Sequence, residues 1–295
     1  AGRILGGDPV DMFPYEWDAV PNGVTKEQYQ PLDDYLDLSD DIWSDMSDVI
    51  EMFKYKDKHY VVPYCLSDPL LITYNRSLCE ENGLDDPYEL YKKDKWDWDA
   101  FMDMMKTFVS NAKDGETRYG INGWFGQAMV QSTGETFVKY DGSKFSNNIS
   151  NPAIEEAEGV MEEIMSLGLY DPTWYGYLPD DGSTLFFGMA DWALGASNVK
   201  ADPNPDYEDD GFVEENDLMI VPFPKQPGSD EYYLNCNFGA KMLVKNSDKG
   251  DAVAAYIKCE RLAAMIDEYK DAAKEKAIIP EVNAQGKLKS YVTEE

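Results

Sequence analysis

Asp68-Pro69-Leu70-Leu71-Ile72-Thr73-Tyr74-Asn75-Arg76-Ser77-Leu78 carries the most telling strand signal in the chain. Its middle, Leu70–Tyr74, is a short run of aliphatic, β-branched and aromatic residues closed by Asn75, the composition of a strand held in a sheet. Asp68 and Pro69 stand at its entrance. A carboxylate beside an apolar strand costs free energy unless it is paired or used. Asp68 therefore reads either as a turn acid ahead of proline or as a residue with a task. Runs of the same kind recur at His59–Pro63, Tyr119–Ile121, Leu218–Val221 and Lys241–Val244. None approaches the roughly 20 apolar residues that span a bilayer.

Between these runs the hydrophobic period changes from that of a strand to that of a helix. From Trp96 to Ala112 the residues Trp98, Phe101, Met102, Met105, Phe108 and Val109 fall on one helical face, with Asp97 placed to cap the start. A second helix opens at Asn151-Pro152, turns Ile154, Ala157, Val160, Met161 and Ile164 inward, and stops near Gly168. A third runs from Ser247 or Asp248 through Val253, Tyr256, Ile257 and Ala264 toward Lys274. Short strands alternating with helices predict an α/β fold, and 295 residues make one large or two modest domains.

Charge narrows the function. Counting 57 Asp and Glu against 26 Lys and Arg gives a net −31, which repels nucleic acid and anionic membrane alike. His59 is the only histidine, so a two-histidine metal site is excluded and one candidate base remains for a Ser-His or Cys-His pair. Cys65, Cys79, Cys236 and Cys259 show no C-x-x-C spacing and read as free, buried thiols, with a Cys65–Cys79 bridge as the alternative. Neither a metal nor a cofactor is implied. The opening residues Ala1–Gly7 contain no basic segment followed by an apolar one, so they are not a signal peptide.

The residues that could carry chemistry are aromatic rings beside acids and amides. A ring face covers the C–H face of a sugar while carboxylates and amides take its hydroxyls. One such cluster is Tyr15-Glu16-Trp17-Asp18, following Met12-Phe13-Pro14 where a strand gives way to a loop. Its alternative is an ordinary packed aromatic pair. A second is Gly123-Trp124-Phe125-Gly126-Gln127, after the strand Tyr119–Ile121, with glycines that allow close approach of a ligand. Trp174-Tyr175-Gly176-Tyr177 reads as a further platform or as a loop packed on its own lobe. Trp43, Trp96, Trp98 and Trp192 read as core. The polar stretch Asn198–Glu215 is too long for an ordinary connection. Its Asp202-x-Asn204-x-Asp206 resembles the start of a calcium loop, but Tyr207 stands where the sharp turn needs glycine.

Taken in order, these pieces resemble the maltose-binding-like extracellular solute-binding proteins of carbohydrate ABC transporters. Gly7-Asp8-Pro9-Val10-Asp11-Met12-Phe13 is similar to the family's first acidic strand, and Tyr29-Gln30-Pro31-Leu32-Asp33-Asp34 to its proline-leucine-aspartate segment. Lys56–Pro63 resembles the lysine-tyrosine-glycine-valine-proline strand, and Leu71–Leu78 the strand ending in tyrosine-asparagine-lysine. Trp96-Asp97-Trp98-Asp99-Ala100-Phe101 is similar to the start of the next helix. Leu185–Ser197 and Phe238–Val244 with Asn246-Ser247-Asp248-Lys249 resemble two later segments, although Asp191-Trp192 stands where alanine-methionine is usual.

The resemblance implies a periplasmic-binding-protein-like type II fold, two α/β lobes joined by a hinge. Lobe 1 would comprise residues 1–67 and 237–275, lobe 2 residues 68–236, with 276–295 unassigned. It implies capture of a sugar or oligosaccharide in an inter-lobe cleft by a non-catalytic, monomeric protein and delivery to an ABC permease in the membrane. Tyr15, Glu16, Trp17 and Asp18 would serve the ligand from lobe 1 and Asp68 from beside the hinge. Trp124, Phe125, Gln127 and Trp174 would form the lobe 2 platform. Ser197-Asn198 occupy a turn where many members carry a tryptophan, and Asn235 and Asn237 the second crossover. Members begin with a further strand and helix behind a lipoprotein signal, so the sequence resembles an interior segment of an extracellular, lipid-anchored protein. The alternatives from other classes are a glycoside hydrolase, given the many carboxylates, and an acidic interaction or calcium-binding module.

Overall fold

The computed structural model describes residues 10–15, 19–176, 178–179, 181–190 and 218–278, the last six as backbone only. In chain order the first elements are β1 (Met12–Pro14), β2 (Tyr29–Gln30), α1 (Ser47–Met52), β3 (Lys54–Tyr55), β4 (Lys58–His59) and β5 (Cys65–Ser67). There follow β6 (Leu70–Asn75), α2 (Arg76–Glu81), α3 (Pro87–Lys92), α4 (Trp98–Ser110), β7 (Tyr119–Gly123) and α5 (Gly126–Gln131). The remainder are β8 (Val138–Tyr140), β9 (Phe145–Asn147), α6 (Pro152–Ser166), β10 (Thr184–Ala190), β11 (Leu218–Pro222), β12 (Asn237–Gly239), β13 (Lys241–Val244), α7 (Gly250–Met265) and α8 (Asp267–Ile278).

These elements form two compact units. One holds the described residues through Ser67, the segment Val138–Asn147, and Asn237–Lys274; the other holds Asp68–Phe137, the described residues between Asn148 and Cys236, and Glu275–Ile278. In the first, β13 runs antiparallel between β1 and β2, pairing Met12 with Leu243 and Tyr29 with Val244. Val253, Ala254 and Ile257 of α7 share a core with Leu243, Leu32, Trp43, Met46, Ile50 and Val62. Arg261, buried on the same helix, donates to the carbonyls of Ile42 and Tyr64 and pairs with Asp45, so its charge is not stranded. The hairpin β8–β9 joins this unit through aromatic packing: Phe145 stacks on Tyr55 at 5.7 Å, and the Lys56 N–H donates to the Tyr140 hydroxyl at 2.9 Å.

The second unit is built on a four-stranded sheet ordered β11-β6-β10-β7. β6 is antiparallel to both β10 and β11, whereas β10 and β7 are parallel. All seven residues of β10 are buried, as expected for a strand paired on both edges and covered on both faces. Trp98, Phe101, Met105 and Phe108 of α4 pack with Phe186, Ile72 and Tyr74, and α6 adds Ile154, Ala157 and Ile164. The expected caps form: Asp97 accepts from the Ala100 N–H at 3.0 Å and Asn151 from the Ala153 N–H at 2.9 Å.

Several expectations need correction. Of the strand expected at His59–Pro63 only His59 pairs, as the second residue of β4 in a hairpin with β3 whose turn, Lys56-Asp57, lies at positive φ. Val61 and Val62 are fully buried in two different core clusters, the alternation of an extended chain, but the segment after His59 joins no strand ladder. The helix expected to run unbroken toward Lys274 is two helices, because Ile266 is extended at φ −68°, ψ 119°, and Asp267 and Glu268 open a new first turn. All four cysteines are free, without a Cys65–Cys79 bridge. Only Cys79 is buried; Cys65 and Cys236 are half-buried and Cys259 is exposed.

Candidate functional site

The most distinctive surface lies where β7 ends. Gly123 takes φ +92°, and a Cβ there would stand 2.3 Å from the Gly188 carbonyl oxygen, so the chain turns against β10 only because the residue is glycine. The Trp124 N–H then donates to that same carbonyl at 2.7 Å. The turn throws the Trp124 indole outward, 61% exposed, onto the indole of Trp174, itself 53% exposed. The two rings stack with centroids 5.2 Å apart and planes 29° from parallel. Stacked in this way, the two rings still keep an apolar face in water at the end of the strand.

Trp174 is held by a loop laid along β7. The Gly120 and Ile121 N–H groups donate to the Leu169 carbonyl, and the Asp171 N–H donates to the Ile121 carbonyl at 3.0 Å. Asp171, 2% exposed, accepts from the Thr173 N–H at 2.9 Å. Asn122, 1% exposed, donates to the carbonyls of Asp171 and Thr173 at 3.0 and 2.7 Å. Sequence reasoning passed over Asn122 and Asp171. The available signal was an amide in a strand whose neighbours are apolar or glycine, directly before the Gly-Trp turn.

The expected site residues do not all share this surface. Gln127 is exposed on the first turn of α5. Phe125 is not a platform: it is 7% exposed, packs on Tyr170 at 5.4 Å and belongs to the core of the second unit. As the residue before α5 it must point at the sheet when Trp124 points away. Tyr15 is half-buried, its ring wedged against Phe53 and Phe238 at 5.5 and 4.7 Å, which is the packed-pair alternative with part of the ring still open. Asp68 takes a left-handed φ of +47° between β5 and β6, a conformation that Asp tolerates better than most residues. Asn235 accepts from the Leu70 N–H at 2.8 Å through its carbonyl, and its buried side-chain Nδ2 has no hydrogen-bond partner. Asn237, exposed, pairs with Ser67 in the β5–β12 ladder. Glu16, Trp17, Asp18, Ser197 and Asn198 lie outside the described residues, as do Trp192 and the Asp202–Glu215 stretch.

His59 has a structural post. Its Nδ1 lies 2.8 Å from Asp33 and its Nε2 3.0 Å from Glu51, while its backbone N–H also donates to Asp33 at 2.9 Å. Both ring nitrogens face carboxylates, leaving neither for a nucleophile. Burial pushes the Asp33 carboxyl up, but the hydrogen bonds from His59 outweigh it and hold the group below the usual range. Glu51 is lowered too, by His59 first and Lys54 second. Among the described residues no group of three His, Cys, Asp or Glu could hold a metal ion, and no helix is long and apolar enough to cross a membrane.

Residues 1–259 match the family of bacterial extracellular solute-binding proteins, and the chain belongs to that family. No curated protein sequence matches it. Among solved structures it is similar to the cyclic α-maltosyl-1,6-maltose binding protein of Arthrobacter globiformis, at 19% identity and a TM-score of 0.64 over 93% of this chain and 66% of that one. It is also similar to the sugar-binding protein MalE of Xanthomonas citri, at 14% identity and a TM-score of 0.65 over 92% and 66%. A third likeness is the ABC transporter associated binding protein of B. animalis subsp. lactis Bl-04 in complex with β-1,6-galactobiose, at 16% and 0.55 over 97% and 71%. The fold is thus α/β, of the periplasmic-binding-protein-like type II. The chain spans just under two-thirds of the length of the first two of these structures.

Proposed function

We propose that the protein captures a sugar or oligosaccharide without chemically changing it, as the ligand-binding component of an ABC transporter that hands its cargo to a membrane permease outside the cell. The observation that carries this is the Trp124–Trp174 pair, two exposed indoles at the carboxyl end of a sheet strand, where ligands of open α/β sheets collect. The family and the sugars named for its structural likenesses support the ligand class. Gln127, Asp68, Asn235 and Asn237 are proposed to take hydroxyls, Asn235 through its unpartnered Nδ2. The passages between the units at Ser67–Asp68 and Cys236–Asn237 are the proposed hinge. Binding alone sets which state is populated, through differential affinity.

The test is thermal unfolding of the chain with maltotetraose, β-1,6-galactobiose, peptides and amino acids, followed by chromatography of the sugar. Stabilisation by a saccharide recovered intact is the expected outcome. Cleavage of the sugar, or stabilisation by peptides alone, would overturn the proposal.

A further inference from the structure

We infer that Asn122 is a positioning residue for the aromatic pair, its carboxamide fixing where Trp174 stands against Trp124. The inference rests on the sugar-capture reading for its functional meaning, though the positioning itself can be tested without ligand. Asn122 lies on β7 opposite Phe187 and is all but inaccessible to water. Both hydrogens of its Nδ2 are engaged, one by the carbonyl before Pro172 and one by the carbonyl after it. With the Thr173 N–H tied to Asp171, Thr173 is held at both its amide and its carbonyl immediately before Trp174. On the other side Asn122 leads through Gly123 directly to Trp124, whose own N–H is fixed to Gly188. One side chain therefore ties together the two backbones from which the stacked indoles hang.

Two features separate this from generic packing. The Oδ1 of Asn122 is buried and has no hydrogen-bond partner, so the amide is retained with one polar atom unsatisfied. Moreover, only an amide supplies two donors from one nitrogen at this reach; a carboxylate donates none and serine donates one from a shorter arm. Substitution should release the Asp171–Thr173 turn and loosen Trp174 while Trp124 stays where β10 holds it.

Asn122→Ala and Asn122→Ser would be compared with the unaltered chain and with Trp174→Ala. The readouts are cooperative thermal unfolding, the far-ultraviolet circular-dichroism couplet of the stacked indoles (the part that vanishes in Trp174→Ala), and maltotetraose affinity. We expect both Asn122 variants to unfold cooperatively with the couplet strongly reduced, and affinity to fall about tenfold. Adding Asn122→Ala to Trp174→Ala should then cost no further affinity. A couplet unchanged in a folded variant overturns the inference, and so does loss of cooperative folding in both variants, which would assign Asn122 to the unit as a whole. If the unaltered chain binds no saccharide, the capture reading fails while the couplet still decides the role of Asn122.

Discussion

Two pairs of tryptophans in the second unit show opposite solutions to placing an indole. Trp96 and Trp98 are 0% and 2% exposed, and each N–H has a partner: the Pro222 carbonyl at 2.8 Å and the Ser132 hydroxyl at 3.1 Å. Trp124 and Trp174 stack on each other with more than half of each side chain in water. The buried pair brackets the start of α4 and fills the space between helix and sheet. The exposed pair hangs from a glycine turn and a loop. Ring count and hydropathy are the same in both places; what differs is whether the backbone aims the ring at the sheet or past its end.

The largest loss of stability is expected at the buried pair. Trp98→Ala should cost about 3–5 kcal/mol, because it opens a cavity between helix and sheet, measured as a lower urea midpoint with unchanged slope. Phe125→Ala should cost a similar amount, about 3–5 kcal/mol, despite being adjacent to Trp124. A destabilisation below about 1 kcal/mol would mean that Phe125 faces the ligand surface after all. In the first unit, His59→Ala should cost about 1–3 kcal/mol through loss of the ring's contacts with Asp33 and Glu51. The same clamp gives a pH dependence. Asp33 and Glu51 both have carboxyls below their ordinary values, so their contribution is present above the unfolded-state value and is lost as pH falls through the lowered folded value. Acid titration of stability should therefore be shallower in His59→Ala than in the unaltered chain. The smallest effect on stability is expected for Trp124→Ala, within about 0.5 kcal/mol, since its ring leaves water only on one face.

Where local signals and burial agree, the sequence was legible. Asp97 and Asn151 announced α4 and α6 with their caps, and the apolar stripe of α4 is the face that packs on the sheet. β10 gave no such warning. Thr184–Ala190 is buried on both faces, so it shows neither alternation nor helical period, and its role as one of the two inner strands is visible only from its partners. Of the platform, Trp124 and Trp174 were legible as aromatics beside glycines, but their meeting was not. That contact depends on the Asn122 clamp, which joins residues about fifty positions apart. Phe125 was misread for a related reason: in a turn, neighbouring residues can point to opposite sides, and composition alone does not say which one faces the core.

The central claim is that the exposed indole pair is a sugar-binding surface and not unfinished packing. Its most direct test is calorimetric titration of the unaltered chain and Trp124→Ala with the saccharide that most raises the thermal midpoint. An affinity weakened by about 1–3 kcal/mol in a variant of unchanged stability is the expected result. Equal affinity in the two chains would contradict it.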